Sequence, residues 1–440
     1  MLMRYNEDCA ASVVTNTKKN EYTLIFFLIM LIALLGCKKA TPDKVPSISK
    51  KVNVQVLLDV SASMAGYLRG NEFRSTIGGL AASLDNIKKD SLAEIKITTI
   101  SFLLPDKSNR LIKATNDNDA VKFISLIGNR KIAVVAQSPI FDILSDYLKD
   151  IDSNTVKIFI SDLIIDKDPS NFPTIQSHFN TLANTLHKVR KMAISIYRLT
   201  SDFNGPYYFN KKPGSINLSN TVRPYFIVII GKPSIIGKLS TSLHNGINFN
   251  TENEIHLGFS FKQPAFNVLF SDLREGKWGY KEKQKIIRNA KPTQGQKTKF
   301  TMAIDFSDYP KYYKTNEYLN RNLEIASTVA TLDTNNGIEV FEKTSLYNKL
   351  SKTGKEQAAK ATHLISVSLT NVEDDGLMEF ELYNELPKWY DSLSEDDDSD
   401  IKNTIKQTYG LKYIVTGLAN AYGEINTHNK LFHLFFKLEK

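Results

Sequence analysis

The chain has 440 residues, 42% of them hydrophobic and 23% charged, which suits globular material with room for two domains or one enlarged one and excludes wholesale disorder. Its formal charge of +9 would suit an anionic partner, yet the lysines are scattered and no basic helix or aromatic-interleaved groove appears, so no nucleic-acid binding is expected. The two cysteines, Cys9 and Cys37, are too few for a disulfide framework.

The amino terminus reads as an export signal. Lys18 and Lys19 precede an apolar run from Tyr22 to Leu35, followed by Gly36 and Cys37. Leu34-Leu35-Gly36-Cys37 resembles the lipobox of bacterial lipoproteins, which implies cleavage before Cys37 and lipid on its thiol. The domain plan expected is a signal peptide over 1–36 and a lipid-anchored tether over 37–51, rich in lysine and carrying Pro42 and Pro46. An uncleaved membrane span is the alternative, although the apolar run is short against the roughly twenty residues that a span needs. Either anchor places the rest of the chain outside the cytoplasm, at a bacterial cell envelope.

Val54 to Asp59 is an apolar run ending in a carboxylate, and Ser61 and Ser63 follow, so a buried strand delivers three oxygen-bearing side chains to one loop. A helical period covers Phe73 to Lys88. A strand over Ile95–Leu104, a short partner at Leu111–Ala114 and a helix over Asp117–Ile127 come next. Ser138 opens a helix with Pro139 at its first position, and the β-branched strand Val156–Ile160 closes on Ser161-Asp162. The order then repeats as a helix over Phe172–Lys191, strands Ala193–Leu199 and Tyr225–Ile230, and a helix over Pro233–Leu243. Alternation of this kind predicts an α/β domain over 52–244, a doubly wound, mostly parallel sheet covered on both faces. Ser201–Asn220 lengthens the connection between the last two strands as a hairpin or a cover.

Open sheets bind ligands at the carboxyl ends of their strands. Asp59, Ser61, Ser63, Ser138 and Asp162 are all expected at that edge. The Asp-x-Ser-x-Ser loop with Ser138 and the distal Asp162 resembles the metal-ion-dependent adhesion site of von Willebrand factor type A domains. The resemblance implies a divalent cation, Mg²⁺ first and Mn²⁺ or Ca²⁺ as alternatives, held by these five residues and completed by an acidic group of a protein partner. Hard cations take oxygen ligands, and hydroxyls supply oxygen without adding charge. Two positions depart from the pattern: Ser138 stands where Thr is usual, and Leu163 follows Asp162 where Gly is common.

Beyond residue 245 the alternation is lost. Ile255–Phe261, Phe266–Phe270, Phe300–Phe306, Leu323–Thr331, Ile338–Phe341, Leu364–Thr370, Leu377–Tyr383 and Leu431–Leu438 read as strands, which predicts a β-rich, sandwich-like second domain over 245–440. The acidic run Ser394–Asp400 fails the EF-hand pattern, with Ile401 at the glycine position and Gln407 at the distal acid. It is expected to cap a helix from Ile401 to Tyr409 through Ser399 or Asp400, and the helical pattern continues to Tyr422.

Catalytic signatures are missing from the sequence: the seven histidines make no HExxH, and neither a Gly-x-Ser-x-Gly elbow nor a phosphate-binding glycine loop appears. The expectation is an envelope-anchored, non-enzymatic binding module. An accessory or assembly factor docking on an envelope complex is the alternative, and an extracytoplasmic hydrolase is the third.

Overall fold

The structure, a computed structural model, describes residues 50–440 apart from 91–94, 116–118, 130–131, 133, 135–138, 168, 245–252, 261–262 and 426–428. Contacts group Ser49–Lys440 as one compact unit, separate from Met1–Ile48. The leader, Cys37 and Ser138 therefore lie outside the described residues.

The first sheet has seven strands: β1 (Lys50–Leu58), β2 (Ile95–Pro105), β3 (Leu111–Lys113), β4 (Thr155–Ser161), β5 (Ala193–Tyr208), β6 (Ser215–Gly231) and β7 (Glu254–Leu257), in the order β3-β2-β1-β4-β6-β5-β7. Strand β1 is central and pairs in parallel with β2 and β4. The other neighbours pair antiparallel. The sheet is therefore mixed rather than mostly parallel, and the reason is local. Strands β5 and β6 are joined through residues 209–214, far too short for a crossover, so they close as a long hairpin. The segment Ser201–Asn220 is that hairpin's outer half.

Alternation along the strands sorts side chains onto two covered faces. Val52, Val54, Val56 and Leu58 of β1 join Ile158 and Ile160 of β4 under α2 (Asn71–Lys89), α3 (Ala120–Gly128) and α6 (Pro233–His244), while the short α1 (Ala65–Arg69) follows the β1 loop. Leu57 and Phe159 face the other way, under α4 (Ile140–Leu148) and α5 (Phe172–Asn184). Each helix shows its reason in sequence: Phe73, Ile77, Leu80, Ala81 and Leu84 of α2 recur at helical spacing and are buried, and the Asp119 carboxylate caps α3 by accepting from the amides of Val121 and Lys122.

The second half supplies two five-stranded sheets. One runs β12 (Leu323–Ser327), β16 (Gly376–Asn384), β19 (Asn429–Leu438), β10 (Ile286–Arg288), β9 (Gly279–Lys281). The other runs β13 (Ala330–Leu332), β15 (His363–Val372), β11 (Thr298–Ile304), β8 (Phe266–Val268), with β14 (Ile338–Glu342) also on β15. Pairing is antiparallel except between β10 and β19. Phe436 of β19 packs against Phe266 and Phe300 of the other sheet, so aromatic side chains join the two. The segment read as one strand over Leu323–Thr331 divides between the sheets as β12 and β13.

Two parts of the second half belong structurally to the first sheet. Strand β7 pairs with β5, and the late helix α8 packs on α5; α7 (Asn316–Asn322) precedes it in the chain, and α8 itself spans Leu411–Tyr422. The helix expected over Ile401–Tyr409 is absent. That stretch is turns followed by β18 (Thr408–Tyr409), which pairs with β17 (Ser394–Glu395), and Gly410 enters α8 in the left-handed region at φ 76°. A Cβ there would lie 2.6 Å from Ile165 Cδ1, so the glycine is required twice, by dihedral and by space.

Candidate metal centre

Strand β1 ends in Asp59 and β4 ends beside it in Ser161-Asp162, because the two strands are parallel and in register at Leu58 and Ile160. Both carboxylates are almost completely buried, at 3% and 2% exposure. The Asp59 amide donates to the Ile160 carbonyl at 2.9 Å, which extends the pairing to the loop itself.

Asp59 is a hub of hydroxyls. Its Oδ1 accepts from the Ser61 amide at 2.9 Å, and its Oδ2 accepts from the Ser61 Oγ at 3.2 Å and the Ser161 Oγ at 2.9 Å. Ser61 and Ser63 Oγ atoms lie 3.0 Å apart. A hydroxyl that gives its proton to a carboxylate turns its lone pairs away from it, toward any cation alongside. Ser161 is the residue that sequence reasoning passed over. It stands at a strand end next to a ligand candidate, and its Oγ also accepts from the Leu163 amide at 3.1 Å.

Asp162 is differently placed. Its Oδ1 accepts from the Ile164 amide at 3.3 Å, whereas its buried Oδ2 has no hydrogen-bond partner among the described residues. Leu163, directly after Asp162, holds φ 51°. The backbone thus keeps the left-handed turn that favours glycine while a leucine occupies it, at a cost of about 1 kcal/mol or more. The side chain offsets that by burying itself at 2% exposure in the core under α4 and α5.

The electrostatics follow from burial and proximity. Desolvation, and then the charge of Asp162, push the Asp59 carboxyl up to about 6, against the hydrogen bonds from Ser61 and Ser161. Asp162 is also raised by burial, opposed by the Ser63 hydroxyl, the Ile164 amide and the Arg223 guanidinium. Two buried carboxyls, each raised by burial, with hydroxyls around them and one bare oxygen, make a donor set of hard oxygens that fits a divalent cation. The structure brings together Asp59, Ser61, Ser63 and Asp162; Ser138 lies outside the described residues.

Two other clusters bring titratable side chains together. Glu379, Glu381 and His433 could converge on an ion from the exposed face of β16 and β19. Lys430 Nζ and the Tyr383 hydroxyl already bond Glu381, so much of its charge is met. Ser195 Oγ, His256 and Glu254 form a chain of 2.8 Å and 2.9 Å contacts that ends on His244, 2.9 Å from Glu254. The order is that of a nucleophile, base and acid, but Ser195 has 0% exposure, and the chain ties β5, β7 and α6 together in the interior.

No protein-family model, curated protein or solved structure matches the chain.

Proposed function

We propose that the chain is an envelope-anchored binding module of von Willebrand factor A type, which recognises an acidic group on a protein partner through a divalent ion at the Asp59 edge. The observation that carries the reading is the bare, buried Oδ2 of Asp162 beside a carboxylate whose own oxygens are filled by hydroxyl and amide donors. A buried oxygen without a donor costs about 1–3 kcal/mol, and a cation removes that cost. In this reading Asp162 is the direct ligand, Ser61 and Ser63 add hydroxyl oxygens, and Asp59 orients Ser61 by accepting its hydroxyl proton, with the Ser63 hydroxyl alongside that of Ser61. Ser138 is the fifth residue of the set. The ion supplies one open position for a foreign carboxylate, and the protein's own residues hold it without saturating it. Lipid on Cys37 would carry the module at the membrane surface.

Calorimetric titration of Mg²⁺ and Mn²⁺ into wild type and into Asp59→Ala and Asp162→Ala tests this. Saturable heat in wild type that disappears in both variants is expected. Equal heats in all three proteins would overturn the reading.

A further inference from the structure

Arg223, on β6, is 1% exposed, and among the described residues its Nε and Nη1 have no hydrogen-bond partner. Its guanidinium lies 4.5 Å from the ring centre of Tyr207 and 5.8 Å from that of Phe203, so aromatic faces of β5 hold it in place. It is near enough to Asp162 and to Tyr67 of α1 to favour the charged form of each. A guanidinium that meets the Tyr67 hydroxyl but has two nitrogens unmet, and a carboxylate oxygen without a donor, thus stand in one interior. Burying an unpaired charge is costly, so a site that keeps both is completed by something else.

Counting charge shows what. Asp59 and Asp162 contribute −2 and Arg223 contributes +1. Two further buried charges on this edge, Arg198 and Asp398, cancel each other; the former donates to the Lys406 carbonyl, and the latter accepts from Tyr207, Asn210 and Lys211. A divalent cation then brings the enclosed total to +1, and one monoanionic oxygen ligand brings it to zero. If position 223 were neutral, the loaded site would be neutral by itself, and the same ligand would leave it at −1.

We propose that Arg223 is the specificity-determining residue of the metal edge: its fixed charge makes the loaded site electropositive and selects a singly charged carboxylate as the ligand. The proposal rests on the metal reading above and goes beyond it, since that reading needs no residue at 223. Sequence inspection gives no hint of it. Arg223 lies sixty-one residues past Asp162 in a strand that reads as ordinary sheet, and the β5–β6 hairpin folds it back.

The test uses the full chain in detergent. Mg²⁺ is titrated first, then sodium acetate is titrated into the Mg²⁺-loaded protein, for wild type, Arg223→Met, Arg223→Gln and Arg223→Lys. Wild type should bind acetate in the presence of Mg²⁺ and lose that binding with chelator. Arg223→Met and Arg223→Gln should hold Mg²⁺ as tightly as wild type or more so, and bind acetate at least tenfold more weakly. Arg223→Lys, which keeps the charge, should remain within about threefold. Two neutral variants guard against one of them failing to fold, which circular dichroism reports. Acetate affinity within twofold of wild type in a folded neutral variant overturns the proposal and leaves the metal reading standing. Mg²⁺ binding without any Mg²⁺-dependent acetate binding in wild type also overturns it. Absence of Mg²⁺ heat in wild type is the separate failure of the metal reading.

Discussion

Replacing Asp398 tests how the acidic run of the second half holds the β5–β6 hairpin. Its carboxylate is 1% exposed and accepts four hydrogen bonds from the β5–β6 hairpin: the Tyr207 hydroxyl at 2.9 Å, the Asn210 amide at 2.8 Å, the Asn210 side chain at 3.1 Å and the Lys211 amide at 3.0 Å. Hydrogen bonds to a charged acceptor are worth about 1.5–3 kcal/mol each, but the tip of the hairpin is half in water and the four act as a unit. Asp398→Ala should therefore cost about 3–5 kcal/mol, the range seen when one partner of a buried charged group is removed. Asp398→Asn keeps one acceptor oxygen and should cost about half as much. Urea unfolding followed by fluorescence reads the loss. Trypsin gives a local measure, since Lys211 can be cut once its amide is free whereas Lys212 precedes Pro213 and resists. Faster cleavage after Lys211 is expected in both variants. An Asp398→Ala protein within 1 kcal/mol of wild type and cut at the same rate would refute the reasoning.

Other perturbations follow from the same structure. Because Asp59 is raised to about 6 by burial and by Asp162, Mg²⁺ must displace a proton below that pH, and affinity should fall about fivefold from pH 6 to pH 5 while staying level from pH 7 to pH 8, as read by calorimetry. Glu424, buried at the junction of β19 and α8, is raised from 4.5 to about 8 by desolvation against hydrogen bonds from Gly258 and Asn384. The folded state holds that proton more tightly than the unfolded chain, so the contribution is full below pH 4.5 and is lost as pH rises through 8. Relative to Glu424→Gln, wild type should lose up to about 5 kcal/mol across that window, and parallel stability curves would contradict this. A Cβ at Gly237 would lie 1.9 Å from the Asp308 carbonyl, so Gly237→Ala should destabilise by about 3 kcal/mol in chemical denaturation, by forcing α6 away from the second half.

The parts of the molecule that were legible in the sequence are those whose signal is local. An apolar run that stops at Asp59, and another that stops at Ser161-Asp162, predict two strands ending at one edge, and parallel register does bring them together. The amphipathic period of α2 was equally plain. What was not legible depends on partners distant in the chain. The hairpin's outer half, with Asn204, Gly205 and Pro206, has poor strand chemistry and is held by Asp398 from nearly two hundred residues away. The same contact explains the acidic run: Asp398 faces the hairpin, while the Gly410 turn and the β17–β18 pair take the place of the expected helix. Leu163 shows the opposite case, a leucine that holds a left-handed turn because its burial offsets the strain.

Helix α8 has a consequence for how this molecule comes to exist. Gly417 lets it approach α5 so closely that a Cβ would lie 2.4 Å from the Gln176 carbonyl, and the Tyr422 hydroxyl donates to the Met192 carbonyl at 2.9 Å. One face of the first sheet is therefore roofed by residues synthesised more than two hundred positions after the sheet's central strands. During synthesis Phe179, Ala183, Ile194 and Val228 stay without that roof until position 422 has emerged. A fragment ending near residue 244 would leave that greasy surface open and should clump rather than behave as a free-standing piece.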